Sequence, residues 1–300
     1  MTLLFTLLAS LFAACVNLCL QKNLKYQRFA SGYYTMYFIS CLASVFLFFP
    51  QFKFISFSLV MSLTGCVGGI LIFFMMRLIA RALQLGPFGL TFAFQNSGCV
   101  LPILLLVFLF GRSYGFSLTT YALIGLSCVI IGMFFLSRSN ELTSNVSIKK
   151  WLGMALIIFF IQGFVLFLFQ WRCLLFVYPA NSHPLIPWNC GVEQDIWFMG
   201  GLYLMPALLQ AFQFGWSERR WFSRREAALG ISGGVLNGGS TFCLINATKF
   251  ASGTESTILF PLFSVGVIVL CSVWGWKINH EKINWIGLLL CIAGVIVGAF

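Results

Sequence analysis

The sequence predicts an all-α integral membrane protein with ten transmembrane helices, arranged as two inverted five-helix repeats. Three observations support this prediction. Of the 300 residues, 60% are hydrophobic and only 8% are charged, whereas about 25% charged residues is usual for a soluble domain. Ten apolar runs approach the roughly 20 residues that a helix needs to cross a bilayer. A glycine-rich segment also occurs twice along the chain, as in a duplicated membrane protein.

Short connections separate most of the predicted helices. These helices cover residues 2–21, 31–50, 57–79, 87–110, 117–137, 151–171, 196–215, 227–248, 253–276 and 283–300. The first run lacks a basic leader and a cleavage site, so it is interpreted as a spanning helix. The polar segment 138–150, a predicted cytoplasmic linker, separates a first repeat, 1–137, from a second repeat, 151–300.

Glycines mark the internal repeat. In the predicted third and eighth helices, three pairs lie 165 residues apart: Gly65 and Gly230, Gly68 and Gly233, and Gly69 and Gly234. In the fifth and tenth helices, two pairs lie 162 residues apart: Gly125 and Gly287, and Gly132 and Gly294. Glycines remove side chains from a helix surface, so a second backbone can approach closely or a cavity can open. Five helices per half is an odd number, which makes the two copies enter the membrane in opposite directions.

The net charge of +11 comes from basic residues that lie singly or in small groups between apolar runs. This placement is typical of membrane proteins and argues against nucleic-acid binding. Fourteen of the 18 Lys and Arg residues fall on one predicted side, which places that side in the cytoplasm and both termini outside. The eleven cysteines show no CxxC motif and no pairing with His, so they are interpreted as small core residues.

The motifs of the two halves follow one order. In each half a glycine-rich helix runs into an A-x-x-x-[AG]-[PS] junction, ALQLGP at 82–87 and ATKFAS at 247–252. A proline-containing helix and a helix with a G-x6-G spacing follow. This order resembles the ten-helix EamA-like members of the drug/metabolite transporter superfamily, although the family's Gly-Glu pair is here Gly111-Arg112. The resemblance implies that both termini are cytoplasmic, opposite to the charge count, and the sequence leaves the orientation open.

The resemblance implies a secondary carrier that moves a small metabolite across the cell inner (plasma) membrane by alternating access, without catalytic residues, cofactor or metal. The sequence has no GxxxxGK[ST] loop, so a gradient or exchange must supply the energy. A flippase or lipid-linked sugar carrier, a receptor or scaffold, and a membrane-embedded enzyme are the alternatives. HExxH, GxSxG and paired-carboxylate motifs are absent from the sequence, which disfavours the enzyme. Both halves lie in one chain, so a monomer is sufficient and a homodimer is compatible.

Polar residues inside the apolar runs are the candidates for binding the cargo. Arg77 and Arg81, spaced i, i+4, are interpreted as counter-charges for a zwitterionic or anionic cargo, such as an amino acid or a nucleotide-like metabolite, or as snorkelling anchors. Uncharged groups at mid-membrane depth either bind cargo or hold helices together. These candidates are Gln95, Asn96 and Ser97, with Asn17, Gln162, Gln210, Gln213 and Asn237 as weaker ones.

The remaining candidates concern coupling, hinges and the long loop. Glu255 is either a proton-coupling carboxylate or part of an S-x-x-E capping box, and Lys249 is an interfacial anchor or lines the cavity mouth. Pro102 and Pro261 are predicted hinges, because proline removes a backbone hydrogen bond. The loop 172–195 is a surface cap or a metal site formed from His183, Cys190, Glu193 and Asp195.

Overall fold

The structure, a computed structural model, describes all residues except 27–30, 49–54, 115–119, 138–144, 251–252, 281–283 and 298–300, and most of the described residues are helical. These described residues form no β-strand. The helices are α1 (Thr2–Tyr26), α2 (Ser31–Phe48), α3 (Leu59–Leu85), α4 (Phe88–Ser97), α5 (Leu101–Phe110), α6 (Thr120–Ser137), α7 (Asn145–Val177), α8 (Asp195–Ser217), α9 (Arg224–Phe250), α10 (Gly253–Asn279) and α11 (Trp285–Val297).

Seven spans within the described residues are long and apolar enough to cross a bilayer. They are 2–24, 31–48, 59–85, 88–110, 149–177, 224–247 and 260–278. Shorter apolar helices cover 123–132 and 285–297. The chain is therefore an all-α, multi-pass membrane protein, which confirms the predicted class.

The fourth predicted helix is divided into two. A 3₁₀ turn at Gly98–Val100 separates α4 from α5, where the sequence predicted one helix over 87–110. Pro102 has no N–H to donate to the carbonyl of Gly98, four residues earlier. The amide of Leu101 donates to that carbonyl instead, which is the shorter 3₁₀ spacing. Pro261, by contrast, lies inside the continuous helix α10.

Helix α7 is longer than the sequence indicated. It begins at Asn145 and ends at Val177, whereas the prediction covered 151–171. The last six residues of the expected linker 138–150 are therefore helical. At the other end, the extra turns carry Arg172 into the bundle, where its side chain is 3% exposed.

Two seams of close backbone contact join the halves of the chain. In the first, α3 packs on α8, and a Cβ atom on Gly65 would collide with the carbonyl oxygen of Phe198. In the second, α9 packs on α2, and a Cβ atom on Gly230 would lie 2.8 Å from the carbonyl oxygen of Tyr33. The sequence prediction that these glycines permit close approach is confirmed.

The residues that meet in one seam reappear in the other at a fixed offset. Gly65 lies 165 residues before Gly230, and Tyr33 lies 165 residues before Phe198. A third contact pair has the same relation: α6 packs on α11, where a Cβ atom on Gly132 would meet Cys291 and one on Gly294 would meet Val129. Gly132 lies 162 residues before Gly294, and Val129 lies 162 residues before Cys291.

Replacing a seam glycine by alanine should destabilise the bundle. We expect Gly65→Ala and Gly230→Ala each to lower the thermal midpoint in detergent, because overpacking a tight interface costs about 1–3 kcal/mol. Gly153→Ala is the matched control, since an added Cβ atom there meets nothing within 4 Å. Midpoints that are unchanged at all three positions would show that the seams are looser than described.

Candidate functional site

A polar chamber lies between eight helices at the centre of the bundle. Its volume is about 160 Å³, and α1, α2, α3, α4, α7, α8, α9 and α10 all contribute to its lining. Its lining residues with polar side-chain groups are Asn17, Tyr37, Gln95, Asn96, Gln162, Tyr203, Asn237, Ser240 and Thr241. Amide and hydroxyl groups from distant parts of the sequence therefore converge on one cavity.

Five of the sequence candidates line this chamber: Asn17, Gln95, Asn96, Gln162 and Asn237. Ser97 does not line it. The Ser97 side chain is fully buried, and its hydroxyl donates to the carbonyl of Ala93 at 2.8 Å. Such a bond back to the preceding turn satisfies the hydroxyl within its own helix.

A hydrogen-bonded network connects α8 and α9 at the chamber wall. The Asn237 amide donates to the Tyr203 hydroxyl at 2.9 Å, and that hydroxyl lies 2.7 Å from Oγ1 of Thr241. Sequence reasoning did not single out Tyr203 or Tyr37, because a tyrosine in an apolar run is not distinguishable from an interfacial aromatic residue. Their positions against α9, with Tyr37 opposite Gly234 and Tyr203 beside Asn237, emerge only from helix packing.

The chamber retains an unused acceptor and has no fixed charge. Oε1 of Gln95 is buried without a hydrogen-bond partner, so it can accept a bond from a ligand donor. Tyr37, Phe38 and Phe169 supply part of an aromatic lining. Among the described residues, those around the chamber include no Asp, Glu, Lys or Arg. The chamber is thus suited to a small ligand with hydrogen-bonding groups and no net charge.

A second cavity, which we call the vestibule, lies where α3 and α8 end and α2 begins. Its volume is about 430 Å³, and its lining consists of Ser31, Tyr34, Arg77, Ala80, Arg81, Gln84, Gln210, Gln213, Ser217 and Glu218. Arg77 and Arg81 therefore lie in the vestibule and are not part of the chamber lining. Arg77 lies eight residues before the end of α3, about 12 Å along the helix axis.

A hydrogen bond joins the lining of the vestibule to the lining of the chamber. The Tyr34 hydroxyl donates to the carbonyl of Met76 at 2.6 Å. Tyr34 lines the vestibule and Met76 lines the chamber. This bond between α2 and α3 therefore connects the two linings.

Charged side chains cluster at the rim of the vestibule. Arg220 lies 2.6 Å from both Glu218 and the fully buried Glu226. Ser223 and Glu226 exchange hydrogen bonds as a capping box at the start of α9. The hydrogen bond to Glu226 raises the pKa of Arg220 above its ordinary value. The same S-x-x-E pattern occurs in the sequence at 223–226, although a capping box was predicted only at 252–255.

The opposite end of the bundle, which we call the capped end, lies beneath the loop 178–194. Gln194 and Trp197 donate to the hydroxyl and the carbonyl of Ser56, at 3.0 and 2.8 Å. Tyr178 donates to the carbonyl of Tyr114 at 3.1 Å. These bonds hold the loop against the segments that precede α3 and follow α5, in agreement with the expected surface cap.

The loop residues considered for a metal site lie in separate surroundings. The His183 ring packs against the rings of Phe110 and Tyr114. Cys190 is buried beside Ser58, and burial raises the pKa of its thiol. Within the part of the chain that the structure describes, His, Cys, Asp and Glu form no group of three that could hold a metal.

A buried ion pair lies between the chamber and the capped end. Nη1 of Arg172 lies 3.1 Å from Oδ1 of Asp195. The Arg172 guanidinium also lies over the rings of Phe169 and Phe198, at 5.0 and 4.8 Å from their centroids. Phe169 lines the chamber, so the pair lies one layer beyond it. The sequence placed both residues in or beside the loop and gave no sign that they meet.

Lys249 and Glu255 have side chains outside the described residues, as does Ser252 of the expected capping box. The choice between coupling, capping and anchoring at these positions therefore stays a prediction. Pro102 and Pro261 are placed as described above, and their hinge role likewise stays a prediction.

Comparisons with known proteins establish the fold and leave the function open. No family model and no curated protein matches the chain. The chain is similar to a solved structure described as "Crystal structure of protein", with a TM-score of 0.62 and 15% sequence identity. The match covers 99% of this chain and 94% of that chain. The protein thus shares its overall fold with a solved structure, at an identity that carries no functional assignment.

Breaking the Arg172–Asp195 pair should strongly destabilise the protein. We expect Arg172→Met alone to cost about 3–5 kcal/mol, because it leaves a buried carboxylate without its counter-charge. Adding Asp195→Asn should restore part of the lost thermal stability. Lys150→Met, which removes an exposed cation from the same helix, is the control. A double variant no more stable than Arg172→Met would contradict a direct interaction between the two charges.

Proposed function

We propose that this protein is a secondary carrier that moves a small metabolite across the inner (plasma) membrane by alternating access. The observation that carries the proposal is the central chamber: amide and hydroxyl groups from six helices surround one cavity in the bundle. Polar groups at that depth are costly unless they meet a partner or a ligand. A chamber built from both halves of the chain is where a carrier with internal repeats binds its cargo.

The proposed architecture is ten spanning helices in two inverted repeats. Seven spans meet the length and hydropathy needed, with α4 and α5 together as one. The proposal adds α6, α8 and α11; α8, with 23 residues, is about 34 Å long. The reciprocal seams support a twofold relation. In each seam, a residue of one half contacts a residue of the other half, and the repeat equivalents of these two residues also contact each other. A twofold axis between the halves accounts for both contacts.

The chamber favours a cargo without net charge, which among the expected classes means a zwitterion such as an amino acid. Burying a cargo with net charge is expensive unless a counter-charge lies nearby. The described lining offers no counter-charge. The volume of about 160 Å³ is below the roughly 300–1,000 Å³ of pockets for drug-sized ligands. An amino acid therefore suits the chamber better than a nucleotide-like anion.

A flippase is the second candidate, and one feature favours it. An apolar crevice of about 370 Å³ lies between α3, α5 and α7, lined by Leu71, Leu101, Leu105, Phe160, Ile161 and Phe164. On α7, Ile161 of the crevice directly precedes Gln162 of the chamber. Leu101 of α5 is in tight contact with Gly163, the next residue of α7. Separation of α5 from α7 here would open the chamber sideways to lipid.

Transport into liposomes tests the carrier directly. We expect purified protein to take up labelled amino acids in a saturable manner, driven by a proton gradient or by internal substrate. Asn237→Leu should lower uptake at least about tenfold, since it removes a chamber amide that also orients Tyr203. Asn246→Leu is the matched control on the same helix, because its amide bonds the carbonyl of Phe242 instead.

The same vesicles distinguish the two candidates. Movement of labelled phospholipid between leaflets without amino acid uptake would favour the flippase and overturn the carrier. If uptake is equal in the wild type and Asn237→Leu, the chamber is not the binding site.

A further inference from the structure

The vestibule contains two cations that no described carboxylate neutralises. The ion pairs formed by described residues involve Arg172 and Arg220, and neither Arg77 nor Arg81 takes part. Glu218 also lines the vestibule, but its carboxylate is bonded to Arg220. Arg77 instead lies over the ring of Phe73, 4.8 Å from its centroid. The inner wall of the vestibule is therefore positively charged.

Three uncharged side chains beside these arginines have unused hydrogen-bonding capacity. Gln210 is 1% exposed, and both its Oε1 and its Nε2 are buried without a partner. Oε1 of Gln213, one turn further along α8, and Oγ of Ser31 also lack a partner. All three line the vestibule. A buried amide left without any hydrogen bond costs about 1–3 kcal/mol, so its retention beside a cavity indicates a ligand.

We propose that the vestibule is a second ligand site, separate from the central chamber, which binds a small oxyanion such as a carboxylate or phosphate group. Arg77 and Arg81 lie four residues apart on α3 and supply the positive charge. The Gln210 amide and the Ser31 hydroxyl supply neutral donors from α8 and α2. Three helices thus converge on one anion.

The site differs from the chamber in charge and in its lining residues. The chamber lining has no charged residue among those described, whereas the vestibule has two unpaired arginines. The two cavities share no lining residue, so the vestibule site is complete without the chamber. This inference goes beyond the proposed carrier function, because anion binding can be measured without any transport.

Arginine footprinting of the purified wild-type protein tests the site without any variant. Phenylglyoxal modifies accessible arginines, and mass spectrometry follows each position separately. We expect inorganic phosphate or acetate to slow modification of Arg77 and Arg81 at least about threefold relative to equal ionic strength of chloride, with Arg219 unaffected. The two probes distinguish phosphate from carboxylate recognition. Equal slowing of all three arginines, or none, would overturn the proposal.

Two matched variants separate the vestibule from the chamber. Gln210→Leu should raise the probe concentration that gives half-protection about tenfold, because it removes a buried donor to the anion. Gln162→Leu, the same change in the chamber lining, should leave protection unchanged. If Gln162→Leu weakens protection as much as Gln210→Leu does, the two cavities form one site and the inference is wrong. Arg81→Gln provides a further variant should Gln210→Leu fail to fold.

Discussion

The close approach of backbones at the two glycine seams is the constraint on which the rest of the structure depends. Because Gly65 and Gly230 lack a Cβ atom, α3 and α9 lie directly on the backbones of α8 and α2. Lipid is as apolar as a leucine side chain, so tight van der Waals packing of this kind holds membrane helices together. With these four helices fixed, Tyr37 and Tyr203 are brought to the chamber wall, and the polar groups of the remaining helices close around the same space.

The polar interior divides into regions with different electrostatics. The chamber carries hydrogen-bonding groups and aromatic rings, the vestibule carries unpaired positive charge, and beyond the chamber a buried ion pair, Arg172–Asp195, lies beneath the capped end. Direct contacts link each region to the next: the bond from Tyr34 to Met76 on one side, and the contact of Arg172 with Phe169 on the other. The vestibule end is thus hollow, whereas the capped end is held by the loop 178–194. In an alternating-access carrier, these two ends exchange roles.

Much of the architecture could be predicted from the sequence, because membrane helices have strong length and hydropathy signals. The glycine offsets also indicated where backbones meet, and five of the amide candidates were placed together. What could not be predicted depends on tertiary packing. Arg77 was singled out from the sequence, but whether it faces the chamber or a separate cavity depends on α2 and α8. The Arg172–Asp195 pair requires the extra turns of α7, and the apolar run gave no sign of them. The Ser223–Glu226 capping box was not predicted, although its S-x-x-E pattern is present in the sequence.

Distances across the two ends of the bundle test the proposed alternating access, in which the vestibule and the capped end open in turn. Spin labels are attached to unnatural residues, because the native cysteines are free thiols that would also be labelled. One pair of labels, at positions 31 and 217, measures the distance across the vestibule. A second pair, at positions 113 and 193, measures the distance at the capped end. The measurement compares the wild type with Asp195→Asn by pulsed electron resonance in nanodiscs. Loss of the ion pair should lengthen the capped-end distance and shorten the vestibule distance together. A longer capped-end distance with an unchanged vestibule distance would contradict the coupling of the two ends.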